Sequence, residues 1–193
     1  MCGPKHPDGP VATSSVAPLD KKVDNNQKRR QSIAVGAVVK RVPTRKFLDA
    51  VLANDSLRQC LETFLTAEFC AESLHFIMAI DNYIIEVKKL DLEKDENRLR
   101  LVQLRDTIMK NFLLPTSETE VNIPAKMKRE CLITMEQLKG KGASMELDDY
   151  TNLSLKLFDG PSNHVKHTLI TERIGRFQTT PLFLKASEGI SGI

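Results

Sequence analysis

The sequence lacks several patterns that identify common classes of protein. Its longest uninterrupted apolar run, Phe76 to Ile80, is far shorter than the roughly 18 residues that span a bilayer, and no apolar stretch near the N-terminus resembles a signal peptide. No C-x-x-C pair is present either, which argues against a structural zinc site and a disulfide framework. The four cysteines, expected to be reduced thiols, are Cys2, Cys60, Cys70 and Cys131. We therefore expect a protein of the cytosol or of a membrane surface.

The residue groups that carry out catalysis are also missing. His164 and His167 stand three positions apart and could share a helix face with Glu172. Two ligands without a third at a suitable spacing are usually surface residues, so we expect no metal. The turn from Lys139 to Gly142 lacks the spacing of a phosphate-binding loop. With no nucleophile, base or cofactor motif in view, we expect a protein that acts by binding and needs no cofactor.

Charge divides the chain into two parts. Residues 1–46 carry ten Lys or Arg against three Asp, a net charge of +7, and the overall +3 then leaves −4 for residues 47–193. A mildly acidic domain is poorly suited to a phosphate backbone, so nucleic acid is not an expected partner. Prolines at positions 4, 7, 10 and 18, and a lack of apolar periodicity, predict a disordered basic arm over residues 1–44. One domain at 45–185 and a flexible tail at 186–193 would follow.

Apolar residues recur at helical spacing in the rest of the chain. Positions 57, 60, 61, 64 and 65 are apolar, which is the stripe of an amphipathic helix, and Asp55 or Ser56 is its expected N-cap. Further helices are predicted over 71–88, 95–113, 124–140, 145–158 and 161–177. No segment alternates apolar and polar residues over the length of a convincing strand. The pattern therefore predicts an all-α fold.

One stretch carries a resemblance to a known family. Residues 68–76 read Glu-Phe-Cys-Ala-Glu-Ser-Leu-His-Phe, which resembles the regulator of G-protein signalling (RGS) family, where an aromatic and a small residue follow Glu and precede Glu-Asn, an aliphatic and an aromatic. The similarity continues in order over about residues 45–185 through Phe64, Leu65, Tyr83, Ile108, Phe112, Leu113, Glu120, Val121, Asn122, Ile123, Arg176, Phe177, Leu182 and Phe183. Any helical core would explain the apolar matches, but not Glu68, Glu72, Asn122 and Arg176.

The resemblance implies a function as well as a bundle of about nine helices. Members of the family bind the switch regions of a GTP-loaded Gα subunit, which already supplies its own arginine and a glutamine that orients water. A partner that binds the transition-state arrangement of those loops more tightly speeds hydrolysis without catalytic residues of its own. We expect a monomer that binds GTP-bound or transition-state Gα and so terminates signalling. The alternative is a divergent module that keeps the fold and scaffolds another signalling protein.

The resemblance also implies which residues contact Gα. Glu68, Phe69, Cys70, Glu72 and Ser73 would form a loop between two helices, and the amide of Asn122 would hold the switch glutamine. On the last helix, Glu172 would bind switch-loop backbone while Arg176 braces it from i+4. The implied contact residues are Glu68, Phe69, Cys70, Glu72, Ser73, Asn122, Thr168, Glu172 and Arg176. Six apolar residues would be core: Leu74, Phe76, Ile80, Ile108, Phe112 and Phe177.

Several positions depart from the family pattern. Ser73 stands where the family prefers Asn, and Ile77 where it usually has Trp. Glu172 is one methylene longer than the usual Asp, and Arg173 and Ile174 replace a smaller polar residue and an aromatic. The stretch from residue 122 to residue 158 is longer than the pattern needs. These departures bear on the strength of GTPase activation and on the choice of Gα subtype more than on the fold.

The N-terminal arm carries two candidate modification sites. Cys2 beside basic residues suggests palmitoylation and attraction to anionic lipid, which would place the domain at the inner face of the plasma membrane. The alternative is a merely soluble arm. Ser32 follows Arg29 and Arg30, the spacing that basophilic kinases prefer, and a phosphate there would weaken the hold of the arm on anionic membrane.

Overall fold

The computed structural model describes residues 43–141, 144–188 and 190, and the structural statements that follow concern those residues. This part of the chain is helical and holds no strand. The helices are α1 (Arg45–Ala53), α2 (Asp55–Ala67), α3 (Ala71–Lys89), α4 (Asp95–Ile108), α5 (Ala125–Lys141), α6 (Leu147–Lys156), α7 (Asp159–Leu169), α8 (Gly175–Phe177) and α9 (Pro181–Ala186). The predicted all-α fold is confirmed. None of the described helices is both long and apolar enough to cross a bilayer.

Three helices begin at a polar residue whose side chain caps the free backbone N–H groups. Thr44 Oγ1 accepts from the N–H of Phe47 at 3.1 Å, and Thr180 Oγ1 accepts from that of Phe183 at 3.1 Å. The expected cap of α2 was wrong by one residue. Asn54 Oδ1 accepts from the N–H of Leu57 at 3.1 Å, while Asp55 is already in the first turn, where its charge favours the positive end of the helix.

The core lies around α2 and α3. The first packs against α1, α3 and α9, and the second against α4, α6 and α7. The apolar stripe predicted for α2 faces inward, since Leu57, Leu61 and Leu65 are fully buried. The six predicted core residues are all buried, and so is Ile77, which stands where the family usually has Trp. Helix α3 buries residues on several faces because neighbours surround it.

Aromatic rings tie the two ends of the described domain together. Phe177 on α8 lies 5.6 Å from the ring of Phe64 and 5.1 Å from that of Phe183, measured between ring centres. The ring of Phe47 lies 5.7 Å from that of Phe183, nearly edge to face. Helices α1 and α9, which the periodicity did not predict, are therefore held to α2 by packed phenylalanines.

Two helices continue through a π-helical turn. Helix α4 runs into one at Met109–Leu113, and α7 runs through another at Ile170–Ile174 into α8. A π turn holds one residue more than an α turn and is frequent at functional sites. Both continuous runs, 95–113 and 159–177, agree with the predicted helices, although the second begins two residues earlier than expected.

The stretch that exceeds the family pattern forms α5 and α6, and α6 covers a buried polar cluster on α3 and α4. We define the buried arginine cluster as Tyr83, Arg105, Tyr150 and Ser154, none of which is more than 2% exposed. Arg105 Nη2 donates to Tyr150 Oη at 3.4 Å, and the guanidinium carbon lies 5.8 Å from the centre of that ring. Burial raises the pKa of Tyr83 to about 12, although the positive charge of Arg105 acts against this.

Candidate functional site

A cleft of about 420 Å³ opens where three distant stretches of the chain meet. The first is the turn from α2 into α3, the second is the extended segment before α5, and the third is the face of α7 with the π turn that follows it. The lining residues are Phe69, Cys70, Glu72, Ser73, Asn122, His164, Val165, Thr168, Leu169, Glu172 and Arg173.

The turn between α2 and α3 is closed by backbone hydrogen bonds. Helix α2 ends with the Schellman arrangement, in which the N–H of Cys70 donates to the carbonyl of Leu65 at 2.9 Å and the N–H of Phe69 to that of Thr66 at 3.1 Å. The arrangement requires a left-handed backbone at Phe69, whose φ is 54°. Glycine is usual at this position because a side chain there is strained.

Phe69 combines that strained backbone with an exposed ring. Its side chain is 95% exposed, so the ring contributes no packing to offset the cost of its backbone conformation. Among the described residues other than glycine, it is the one with a positive φ. An aromatic ring that the fold displays at such a cost is typical of a contact residue in a protein–protein interface.

Asn122 reaches the cleft because its segment alternates between core and solvent. Val121 and Ile123 are buried, so the side chain between them points outward, as the period of an extended chain requires. The N–H of Val121 donates to the carbonyl of Phe112 at 2.9 Å and fixes the segment against the π turn after α4. The side chain of Asn122 stays exposed and makes no hydrogen bond to the described part of the chain.

The third wall comes from α7 and the π turn. Thr168 lines the cleft one helical turn after His164, and its Oγ1 donates to the carbonyl of that residue at 3.1 Å. Glu172 and Arg173 lie in the π turn itself. Buried Val165 and Leu169 form the apolar floor.

Charges at the cleft are arranged so that one carboxylate is paired and two are not. Glu68 Oε2, at the end of α2, is 3.3 Å from Arg173 Nη1 and also contacts Arg176 Nη2. Glu72 and Glu172 form no ion pair within the described residues. Burial raises the pKa of the Cys70 thiol; Arg173 acts against this, whereas Glu72 and Glu172 add to it. Cys70 therefore lines the cleft as a neutral thiol.

A family model for the regulator of G protein signaling domain matches residues 47–186. The chain belongs to this family. The match covers well over half of the sequence and agrees with the extent of the helical domain. Comparison with curated proteins gives no match. Membership indicates a role in the regulation of G-protein signalling, with a Gα subunit as the general partner.

The RGS domain brings most of the implied contact residues into one place. Seven of the nine line the cleft, and the other two, Glu68 and Arg176, pair with each other at its edge. The expected brace between Glu172 and Arg176 is absent from the described residues: Glu172 lies within the π turn, and Arg176 pairs with Glu68 instead. The expected loop is also shorter, because Glu72 and Ser73 already belong to α3.

Sequence reasoning missed four lining residues of this RGS domain: His164, Val165, Leu169 and Arg173. Arg173 was noted only as a departure from the family, because its pairing with a carboxylate 105 residues earlier leaves no local signal. His164 was considered only as a metal ligand. Cys2 and Ser32, the candidate modification sites of the arm, lie outside the described residues.

Proposed function

We propose that this RGS domain is a GTPase-activating protein for a heterotrimeric G-protein α subunit. The observation that carries the proposal is the cleft, where seven side chains implied by the family resemblance line one surface although they come from three distant stretches. The domain would act by holding the switch loops of Gα in the arrangement that hydrolysis requires, and all reacting groups would belong to Gα and its nucleotide.

Phe69 would be the apolar anchor of this interface. Its ring is fully displayed in the free domain, and its backbone is fixed by the two hydrogen bonds of the turn. Little conformational freedom is then left to lose on binding, which favours affinity. Burying one large aromatic ring in a partner pocket can dominate the energy of an interface.

The polar groups of the cleft would position the switch loops. Glu72 and Glu172 are free to accept hydrogen bonds from backbone N–H groups, and a charged acceptor makes such bonds stronger than neutral ones. Asn122 offers a donor and an acceptor on one rigid amide, which suits the task of holding two groups of a loop at once. Because Val121 and Ile123 anchor its segment in the core, the amide needs little reorganisation.

The test of this proposal is the variant Asn122→Ala in a single-turnover GTPase assay over a panel of Gα subunits. We expect the maximal acceleration to fall by about 100-fold or more, because one oriented donor at a transition state is worth about 2.7 to 4 kcal/mol. Asn152→Ala is the matched control, since Asn152 is an exposed asparagine on α6 outside the cleft. It should behave like the wild type.

The wild type and the Asn122→Ala variant also distinguish GTPase activation from the alternative of a scaffold that has no effect on hydrolysis. A transition-state binder should prefer Gα with GDP and aluminium fluoride over the GTP-analogue form, and that form over Gα with GDP. Equal affinity for the three forms, together with an unchanged rate in Asn122→Ala, would contradict GTPase activation. It would favour a module that binds its partner without acting on hydrolysis.

A further inference from the structure

The carboxylate of Glu68 is held by more cations than its charge requires. One oxygen, Oε2, takes both the Nη1 of Arg173 at 3.3 Å and the Nη2 of Arg176. A single ion pair would already neutralise Glu68. Neutralisation of the charge therefore does not explain why a second arginine contacts Glu68.

The two arginines differ in their exposure to solvent. The side chain of Arg173 is 31% exposed and that of Arg176 is 55% exposed, while Glu68 is 28% exposed. An ion pair that is more open to water is screened more strongly, so the pair with Arg176 separates more easily. Both arginines contact Glu68, but Arg173 also lines the cleft, whereas Arg176 lies at its edge.

Glu68 matters because of the residue that follows it. It is the last residue before Phe69, whose left-handed backbone is strained. A fixed Glu68 side chain therefore restrains the start of the turn that displays the ring. Arg173 contacts Glu68 from the π turn after α7, so the restraint links this turn to the opposite wall of the cleft.

We propose that Arg173 is a positioning residue that keeps Glu68, and with it the Phe69 turn, in place while Arg176 is released to a partner. The inference rests on the proposed function, since the partner is the Gα subunit. Without Arg173, contact of Arg176 with Gα would leave Glu68 without an ion pair. With Arg173, both roles are filled at once.

The first experiment measures the turn in the free domain and needs no partner. Hydrogen exchange of the Cys70 amide reports on the turn, because this N–H donates to Leu65. We expect exchange to be about three to ten times faster in Arg173→Ala, the range set by the ordering of one side chain, and near the wild-type rate in Arg176→Ala. Equal acceleration in both variants would overturn the inference, since the two arginines would then be equivalent.

The second experiment measures GTPase activation against Gα concentration. Arg173→Ala should raise KM for GTP-loaded Gα by about three- to tenfold and leave kcat within about twofold, because the ordering of the turn affects binding before the chemical step. Arg173→Lys should recover part of this loss, since it keeps the charge but not the planar fork. Faster Cys70 exchange with an unchanged KM would overturn the inference.

The matched control is Arg58→Ala. Arg58 is also an arginine paired with a carboxylate, Asp55, and its side chain is 29% exposed, but it lies at the other end of α2. It should leave both Cys70 exchange and KM unchanged. If the wild-type chain activates no Gα, the proposed function fails, and the exchange experiment still decides whether Arg173 holds the turn.

Discussion

Arginines serve opposite roles at the cleft and beneath α6. Arg173 and Arg176 remain partly exposed and share a carboxylate, whereas Arg105 is 1% exposed and faces aromatic rings and hydroxyl groups. No acidic side chain in the described part of the chain pairs with Arg105. The atoms Arg105 Nη1, Tyr83 Oη and Ser154 Oγ also lack a hydrogen-bond partner there.

The cleft and the buried arginine cluster contribute differently to binding and to stability. At the cleft, backbone strain and exposed apolar surface are concentrated at Phe69. The ion pairs of the neighbouring Glu68 contribute little to stability and keep Phe69 in position for binding. Under α6, a buried cation relies on a tyrosine hydroxyl and a ring, so its removal affects folding more than recognition. Mutations in the buried arginine cluster should therefore mainly lower stability, whereas mutations at the cleft should mainly weaken binding.

The largest expected effect is on the buried arginine cluster. Arg105→Ala should lower the free energy of unfolding by about 3 kcal/mol, because it opens a cavity among packed tyrosines. Arg105→Met fills that space without a buried charge and should stay within about 1 kcal/mol of the wild type. Arg173→Ala should cost less than about 1 kcal/mol. Urea unfolding followed by circular dichroism measures all three, and an equal loss in the Ala and Met variants of Arg105 would contradict this account.

The next effect is on the pH dependence of stability through Tyr83. Its pKa is raised from 10.0 to about 12, so the unfolded chain releases this proton first as the pH rises. Stability is fully present below pH 10 and is lost as the pH approaches 12, by about 2 to 3 kcal/mol for a shift of this size. Tyr83→Phe should remove this component. If parallel unfolding curves from pH 8 to 12 show equal losses in the two proteins, burial does not control this group.

The smallest expected effect on stability is at Phe69. Phe69→Gly should raise the free energy of unfolding by about 1 kcal/mol, because glycine adopts the left-handed backbone without strain. The same change should weaken binding to Gα by about tenfold or more through loss of the ring. Phe69→Ala is the control, since it loses the ring and keeps the strain. A Gly variant that binds like the wild type would show that the ring is not the anchor.

The sequence was sufficient for features that depend on local periodicity. The stripe of α2 and the length of α3 followed from the spacing of apolar positions, and the six core residues followed from the family resemblance; all agree with the structure. Helices α1 and α9 were missed because they are short and are held by tertiary contacts among Phe47, Phe177 and Phe183. Such contacts have no signature in a local window.

The cleft could be predicted only in part for the same reason. The resemblance supplied the residue types. It did not supply the pairing of Arg176 with Glu68 in place of Glu172, because that pairing depends on the π turn, which periodicity does not reveal. The left-handed backbone of Phe69 was equally hidden, since glycine is the residue that normally marks such a position. Pairing between Glu68 and Arg173 requires the folded arrangement of α2 and α7.

The π turn at Ile170–Ile174 has a consequence for how members of a family diverge. An extra residue in an α-helix rotates everything after it by about 100°, which would carry Phe177 out of the core. A π turn takes up that residue locally, so the helix regains its register and Ile174 and Phe177 stay fully buried. An added or deleted residue at this turn would therefore change the wall of the cleft while the buried side chains that follow it keep their places in the core.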